Sequence, residues 1–219
     1  MLTYVLYMQN INVEVFKELL NIPHKTKGAK PSFTSIDLIS CFWLISEGKT
    51  SRANLSVALG LGEGTVRTII SILSNLGYIQ ADNSGCTLSL NGISKKKELS
   101  LIINKVVCLK KQNPLTFNLP SCAIVLSNCK GLVGNGVVQR DRAIKYGADG
   151  ATTLIVEDGK LMFPEEFEDS QYSKELNEFT IEIKELKDGD TVILSYSNEL
   201  HLAQRGCWAA ALSLLNLNF

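Results

Sequence analysis

The sequence is short of the residues that most often hold a metal. It has two histidines, His24 and His201, and neither has a partner at metal-ligand spacing. Its six cysteines (Cys41, Cys86, Cys108, Cys122, Cys129, Cys207) form no CxxC pair and no regular spacing. Most stand among apolar neighbours, as in SCAIVLSNC, where a free thiol behaves as a small buried hydrophobe. Neither a structural zinc nor a disulfide framework is expected. No apolar run reaches the roughly 18 residues that a bilayer span needs. The start, MLTYVLYMQNINVEV, lacks a basic n-region, a long apolar core and a small-residue cleavage site, so it does not read as a signal peptide. A soluble, cytoplasmic chain without membrane contact is the expectation.

Catalytic signatures are missing as well. There is no Walker A, GxSxG or HExxH motif. His201 and Cys207 lie six apart and fall on different faces of one helix, which argues against a Cys–His pair. The acidic residues between positions 157 and 190 sit in loop-like, solvated stretches where nothing would shift a carboxyl pKa. The chain does not read as an enzyme, and no cofactor is expected.

What is present is 219 residues, 45% of them hydrophobic, enough for one large domain or two small ones with a real core. This composition excludes a collagen-like, low-complexity or disordered chain. The zero net charge conceals an asymmetry. Residues 1–111 carry 13 basic and 7 acidic side chains, whereas residues 112–219 carry 9 basic and 15 acidic ones. Two modules with different partners follow, the basic one being the candidate for a polyanion.

Residues 1–30 read as an N-terminal extension, with a short helix possible over Val13–Leu20. Thr34 and Asp37 have capping-box spacing, and the apolar residues that follow predict a buried helix ending near Gly48. Thr50 or Ser51 caps a second helix over 52–59. Past Gly60 and Gly62 a third helix carries Val66, Ile69, Ile70, Leu73 and Leu76 as one apolar stripe. Tyr78–Ala81, the turn Asp82-Asn83-Ser84-Gly85 and Cys86–Leu90 predict a β-hairpin. Three helices followed by a hairpin, over 31–93, is the winged-helix form of helix-turn-helix.

Such a domain puts its third helix into the major groove of double-stranded DNA. Arg67 is the candidate donor to guanine, with Thr65, Thr68 and Ser71 beside it and Arg52 on a phosphate. Asn83 and Ser84 are placed at the wing tip. Lys95, Lys96 and Lys97 add attraction that salt should weaken. Winged helices also serve as protein–protein modules, so an interaction adaptor in transcription or RNA machinery is the alternative.

These residues resemble a known group. PSFTSIDLI at 31–39, GLGEGTVRT at 60–68 and LSLNGISK at 88–95 are similar to an archaeal set of winged-helix proteins labelled transcriptional regulators. QRDRAIKYGADGATTLIVEDGKLMFP at 139–164 is similar to the signature of that group's uncharacterised C-terminal domain, so the resemblance spans about 31–219. Where related winged helices more often read LTEKG, this chain has LSLNG, without the Glu and Lys. The resemblance implies an archaeal source and a regulator role, and it brings no ligand.

The second half predicts a linker helix over 94–113, starting at Ser94, and an α+β domain over 114–219. Strands are expected at Cys122–Ser127 and Ala151–Val156, the latter turning into Lys160–Phe163, with others at Phe179–Ile183 and Thr191–Tyr196. Helices are expected at 137–146 and 198–215. Hairpins favour a mainly antiparallel sheet with both helices on one face, a two-layer α/β sandwich, over a doubly wound sheet. Residues 164–173 read as an exposed acidic loop. The apolar last helix and the linker helix both suggest a homodimer.

One cluster suggests a small polar or anionic effector. GLVGNG, with Gly134 and Gly136, lies between a strand and a helix; Gln139, Arg140 and Asp141 open that helix, near Thr152 and Thr153. Against this stand a plain flexible loop, a buried polar network and a surface ion pair from Asp141 to Lys145.

Overall fold

The computed structural model describes residues 13–20, 32–109, 112–164 and 171–217. They divide into two compact units, Val13–Ser100 and Leu101–Leu217. The chain is α+β, and every strand pairing among the described residues is antiparallel. No single helix among the described residues is long and apolar enough to cross a membrane. The predicted acidic loop lies largely at 165–170, and most of the predicted N-terminal extension at 1–12 and 21–31, outside the described residues.

In the first unit, helix α1 (Glu14–Leu20) buries Val15, Phe16, Leu19 and Leu20. It belongs to the unit's core rather than to a loose arm. Helix α2 (Ser35–Ser46) starts where the sequence places its cap: the Asp37 carboxylate accepts from the Thr34 backbone N–H at 2.7 Å and from its hydroxyl at 3.0 Å. Helix α3 (Arg52–Leu59) is capped by Ser51, whose hydroxyl accepts from Asn54 N–H at 3.1 Å. Gly60 ends it at φ +63°, a conformation that costs a glycine little.

Helix α4 (Glu63–Asn75) follows after a three-residue connection and crosses α3 at 109°. Its Val66, Ile69 and Leu73 are buried, while Leu76 is partly exposed. Strands β1 (Ile79–Asp82) and β2 (Gly85–Leu88) form the hairpin, and Thr50 bridges to Cys86 on its outer side. Phe42 and Tyr78 meet edge to face at 5.9 Å in the core between α2 and the hairpin.

Helix α5 (Leu90–Ser100) closes the unit and departs from expectation at both ends. It begins four residues before Ser94, because Ser89 is its cap and accepts from Gly92 N–H at 3.0 Å. It stops at Ser100, and the predicted continuation is strand β3 (Ile103–Leu109). The run LIINKVVCL suits either element by composition; pairing with β4 (Ser121–Leu126) decides it as strand.

The second unit is a five-stranded sheet in the order β3-β4-β7-β5-β6, where β5 is Gly150–Glu157, β6 Lys160–Met162 and β7 Thr191–Tyr196. Helices α6 (Val137–Lys145) and α8 (Leu200–Leu214) lie on one face. There the Cys207 thiol reaches the Cys122 carbonyl at 3.4 Å and the Ile193 carbonyl at 3.2 Å. The segment predicted to be a strand at 179–183 is the end of helix α7 (Ser173–Ile183). Leu176, Phe179 and Ile183 recur at helical spacing and pack on the opposite face, against Ala123, Val125, Leu154, Val156, Val192 and Leu194. Helices therefore cover both faces, and the two-layer arrangement expected from the sequence is a three-layer one.

The apolar character of α8 is consumed inside the unit. Ala203, Cys207, Trp208, Ala210, Ala211 and Leu214 are all buried against the sheet. With the linker helix replaced by β3, both sequence grounds for a dimer interface are removed.

Candidate functional site

Two clefts, one in each unit, hold eight of the seventeen expected site residues. The first lies in the Val13–Ser100 unit, where the starts of α3 and α4 face the hairpin. It has a volume of about 460 Å³ and is lined by Arg52, Glu63, Arg67 and the hairpin turn around Asn83 and Ser84, among others. The solvent face of α4 presents Gly64, Arg67, Thr68, Ser71 and Asn75, all exposed, with Thr65 half-buried. Its apolar stripe, pinned into the core, leaves this small-residue face outward.

Local pairing neutralises most of the charge here. Arg52 pairs with Glu63 at 3.4 Å, and Lys49 pairs with Asp82 at 3.6 Å. Ser84 donates its backbone N–H to Asp82 at 2.7 Å, and its hydroxyl contacts both Asp82 and Lys49. The Ser84 hydroxyl, then its N–H, hold the Asp82 carboxyl below the usual carboxylate range. Thr65 shares a hydrogen bond with Ser32 at 2.8 Å, and Thr68 donates to Gly64 carbonyl at 3.2 Å. Arg67 has no hydrogen-bond or ion-pair partner among the described residues, so its guanidinium is available to a ligand.

The lysine run is distributed differently from the expected basic patch. Lys95 is buried: its ammonium lies 2.6 Å from Glu18 and 3.5 Å from Glu98, and 5.6 Å from the centre of the Tyr78 ring. Tyr78 donates its hydroxyl to Glu18. Lys96 lies over the Trp43 ring and donates to Glu47 at 2.8 Å. Lys97 is exposed. On the helix, positions 95 and 96 turn toward α1 and α2, and only the third lysine faces water.

Lys95 therefore has a folding role. Hydrogen bonds from Lys95 and then Tyr78 hold Glu18 below its ordinary pKa, while burial and then the bond to Glu18 push the Tyr78 phenol up to about 12. Because Glu18 titrates lower in the folded chain, its contribution is complete above the unfolded value near 4.5 and is lost as pH falls through the depressed folded one. Lys95→Met should lower stability by about 1–2 kcal/mol, discounted for the exposed Glu18 carboxylate. Thermal melts at pH 7 and pH 3 check this: the gap between wild type and variant should shrink at pH 3. An equal gap at both would separate Lys95 from Glu18.

The second cleft, of about 350 Å³, lies in the Leu101–Leu217 unit at the start of α6. It gathers Gly136, Arg140, Thr152 and Thr153 from the expected cluster and adds Asn135, Val137, Ala151, Phe163 and Pro164. Gly134, Gln139 and Asp141 are outside its lining. Gln139 is buried, and Asp141 pairs with Arg140 at 3.1 Å instead of with Lys145. Phe163 had no site signal in the sequence, because its place follows from packing against the α7-face cluster and Tyr172. Asn135 had one: a side-chain oxygen two residues before a helix start caps it, here accepting from Val137 N–H at 3.2 Å.

The architecture is that of a two-unit α+β protein. A family model described as a domain of unknown function (DUF4443) matches residues 117–214, which lie within the second unit. Among solved structures, the hypothetical protein PH0730 from Pyrococcus horikoshii OT3 is similar at 29% identity, over 84% of this chain and 93% of that one, with a TM-score of 0.70. No curated protein matches the chain.

Proposed function

We propose that the chain is a DNA-binding transcriptional regulator: an N-terminal winged helix reads duplex DNA, and the C-terminal unit serves dimerisation, effector sensing or both. The observation that carries this is the α3–α4 pair. Two helices crossing at 109° through a short glycine-containing connection, followed by a hairpin that Thr50 extends by one bridge, support reading the unit as a winged helix-turn-helix. The second helix of that pair has an exposed face of small hydroxyls around one uncompensated cation, Arg67. Side chains of this size let a helix approach base edges closely. A homodimer belongs to the proposal because a single such domain buries little surface on DNA, so specific affinity calls for two half-sites.

Selection of fragmented genomic DNA by the purified full-length protein near physiological salt tests this reading. A discrete, palindromic site should be enriched, and log affinity for it should fall with log salt at about −0.9 per phosphate contact. With Lys95 and Lys96 withdrawn into the fold, that slope should be shallow, two or three contacts' worth. Weak, sequence-indifferent recovery would favour the adaptor reading instead. That alternative draws support from Leu90 and Ile93, exposed together at the start of α5, with Leu90 at 86%.

A further inference from the structure

The cleft beside α6 sits on an open edge of the sheet. Strand β6 pairs with Ile155, Val156 and Glu157 of β5 and no further. Val156 turns its N–H and C=O toward the β7 side: it donates to Asp190 carbonyl at 2.9 Å and accepts from Gly189 N–H at 3.0 Å. Alternation along a strand then directs the backbone groups of Thr153 and Ala151 to the other edge, where no strand pairs with them among the described residues.

The first turn of α6 stands over that edge. Gly136, at φ +75°, lets it come close, since a Cβ there would lie 3.1 Å from the Thr153 Cβ. Asn135 occupies the Val137 N–H. The N–H groups of Val138 and Gln139 have no intrahelical acceptor, as in any first turn, and no other partner among the described residues. This is the positive end of a nine-residue helix.

Independent of the helix is the Thr153 hydroxyl. It is 4% exposed as a residue and has no hydrogen-bond partner. An unpaired buried hydroxyl destabilises the fold, so a ligand that supplied an acceptor would offset that cost. Ser121 and Thr191 also bury unpartnered hydroxyls, but neither lines this cleft. Arg140 adds a half-exposed guanidinium engaged by Asp141 alone among the described residues. No carboxylate lines the cleft among the described residues, although the half of the chain that contains it is strongly acidic. Phe163 and Pro164 add apolar lining, the Phe163 ring also meeting Tyr172 edge to face at 5.9 Å.

We infer that this cleft binds a small phosphomonoester with a planar body. The phosphate would sit at the positive end of α6 and accept from the Thr153 hydroxyl and the Arg140 guanidinium. The planar part would lie against Phe163. A charged donor from α6 and a buried hydroxyl from β5 converge at the positive end of the helix, and about 350 Å³ is more than a bare phosphate fills. The inference deepens the effector half of the regulator reading and stands without the DNA half.

Calorimetric titration of the full-length protein with phenyl phosphate tests it, with inorganic phosphate, benzoate and phenol alongside. Phenyl phosphate should bind saturably and at least about tenfold more tightly than the other three. Arg140→Ala should weaken it by about tenfold or more, the worth of a charged hydrogen bond. Thr153→Val should also weaken binding while raising the melting temperature of the free protein, which a purely structural hydroxyl would not do. No saturable binding, tighter binding of benzoate, or binding unchanged in Arg140→Ala would each overturn the assignment. A lower melting temperature in Thr153→Val would remove that hydroxyl from the site. The titration contains no DNA, so its failure leaves the DNA reading standing, and failure of the genomic selection leaves this one untouched.

Discussion

Arg67→Ala is expected to cost about 1–3 kcal/mol of specific DNA affinity, roughly a factor of 5 to 150, with the fold unchanged. The two halves of that statement have one cause. Arg67 lies on the outer face of α4 and makes no ion pair or hydrogen bond among the described residues, so truncation breaks nothing in the free protein. A surface change of this kind moves stability by no more than about 0.5 kcal/mol. On DNA the same guanidinium would be the one cation on that face without a prior commitment. Arg52 and Lys49 must first give up Glu63 and Asp82.

Arg67→Lys separates base reading from charge. Lysine keeps the positive charge and loses the planar fork, so it should hold non-specific affinity and lose discrimination at one base position. Competition binding of the selected site against a scrambled duplex measures both. Equal affinity of wild type and Arg67→Ala for the selected site would end the proposed role of α4 as the reading helix.

Gly92→Ala is expected to unfold the first unit or cost it about 3 kcal/mol, the upper end of overpacking effects. Gly92 lies near the start of α5, where its backbone passes against the Tyr78 carbonyl. An added Cβ would stand 1.9 Å from that oxygen and 2.9 Å from the carbonyl carbon. Both are backbone atoms, locked at the joint between α4 and the hairpin. Ser89 N–H donates to the same carbonyl at 3.0 Å, and the Ser89 hydroxyl caps Gly92. The clash therefore cannot be relieved by a side-chain rotation. In a thermal melt the variant should show an early transition, with the Leu101–Leu217 unit melting as in wild type. A single wild-type transition would show that α5 can shift without loss.

The helix starts and the hairpin of the first unit were legible because their determinants are close in sequence. Thr34 and Asp37 are three residues apart, Ser51 caps Asn54, and Asp82–Gly85 close a tight turn; each is settled within one turn of chain. The stripe Val66, Ile69 and Leu73 likewise announces a buried face by period alone. Of the candidate site, Arg67 and the glycine-to-Arg140 segment could be read in this way, since exposure on a helix and position at its start are local properties.

The rest required partners distant in the chain. The residues of β3 became a strand because β4 offered an open edge, and those of α7 a helix because the sheet left one face uncovered. Lys95 and Lys96 look alike beside Lys97 in sequence, yet Glu18 and Glu47 hold the first two and water holds the third. Thr153 is one of many threonines until Gly136 closes over it. The sequence by itself determined where elements begin, which faces are apolar and how charge divides between the halves, since these rest on neighbours within a few residues. Only the tertiary structure decided which charges are free, which hydroxyl is stranded and where a cleft opens, because each depends on partners brought from other elements, as Glu18 is to Lys95 and Gly136 to Thr153.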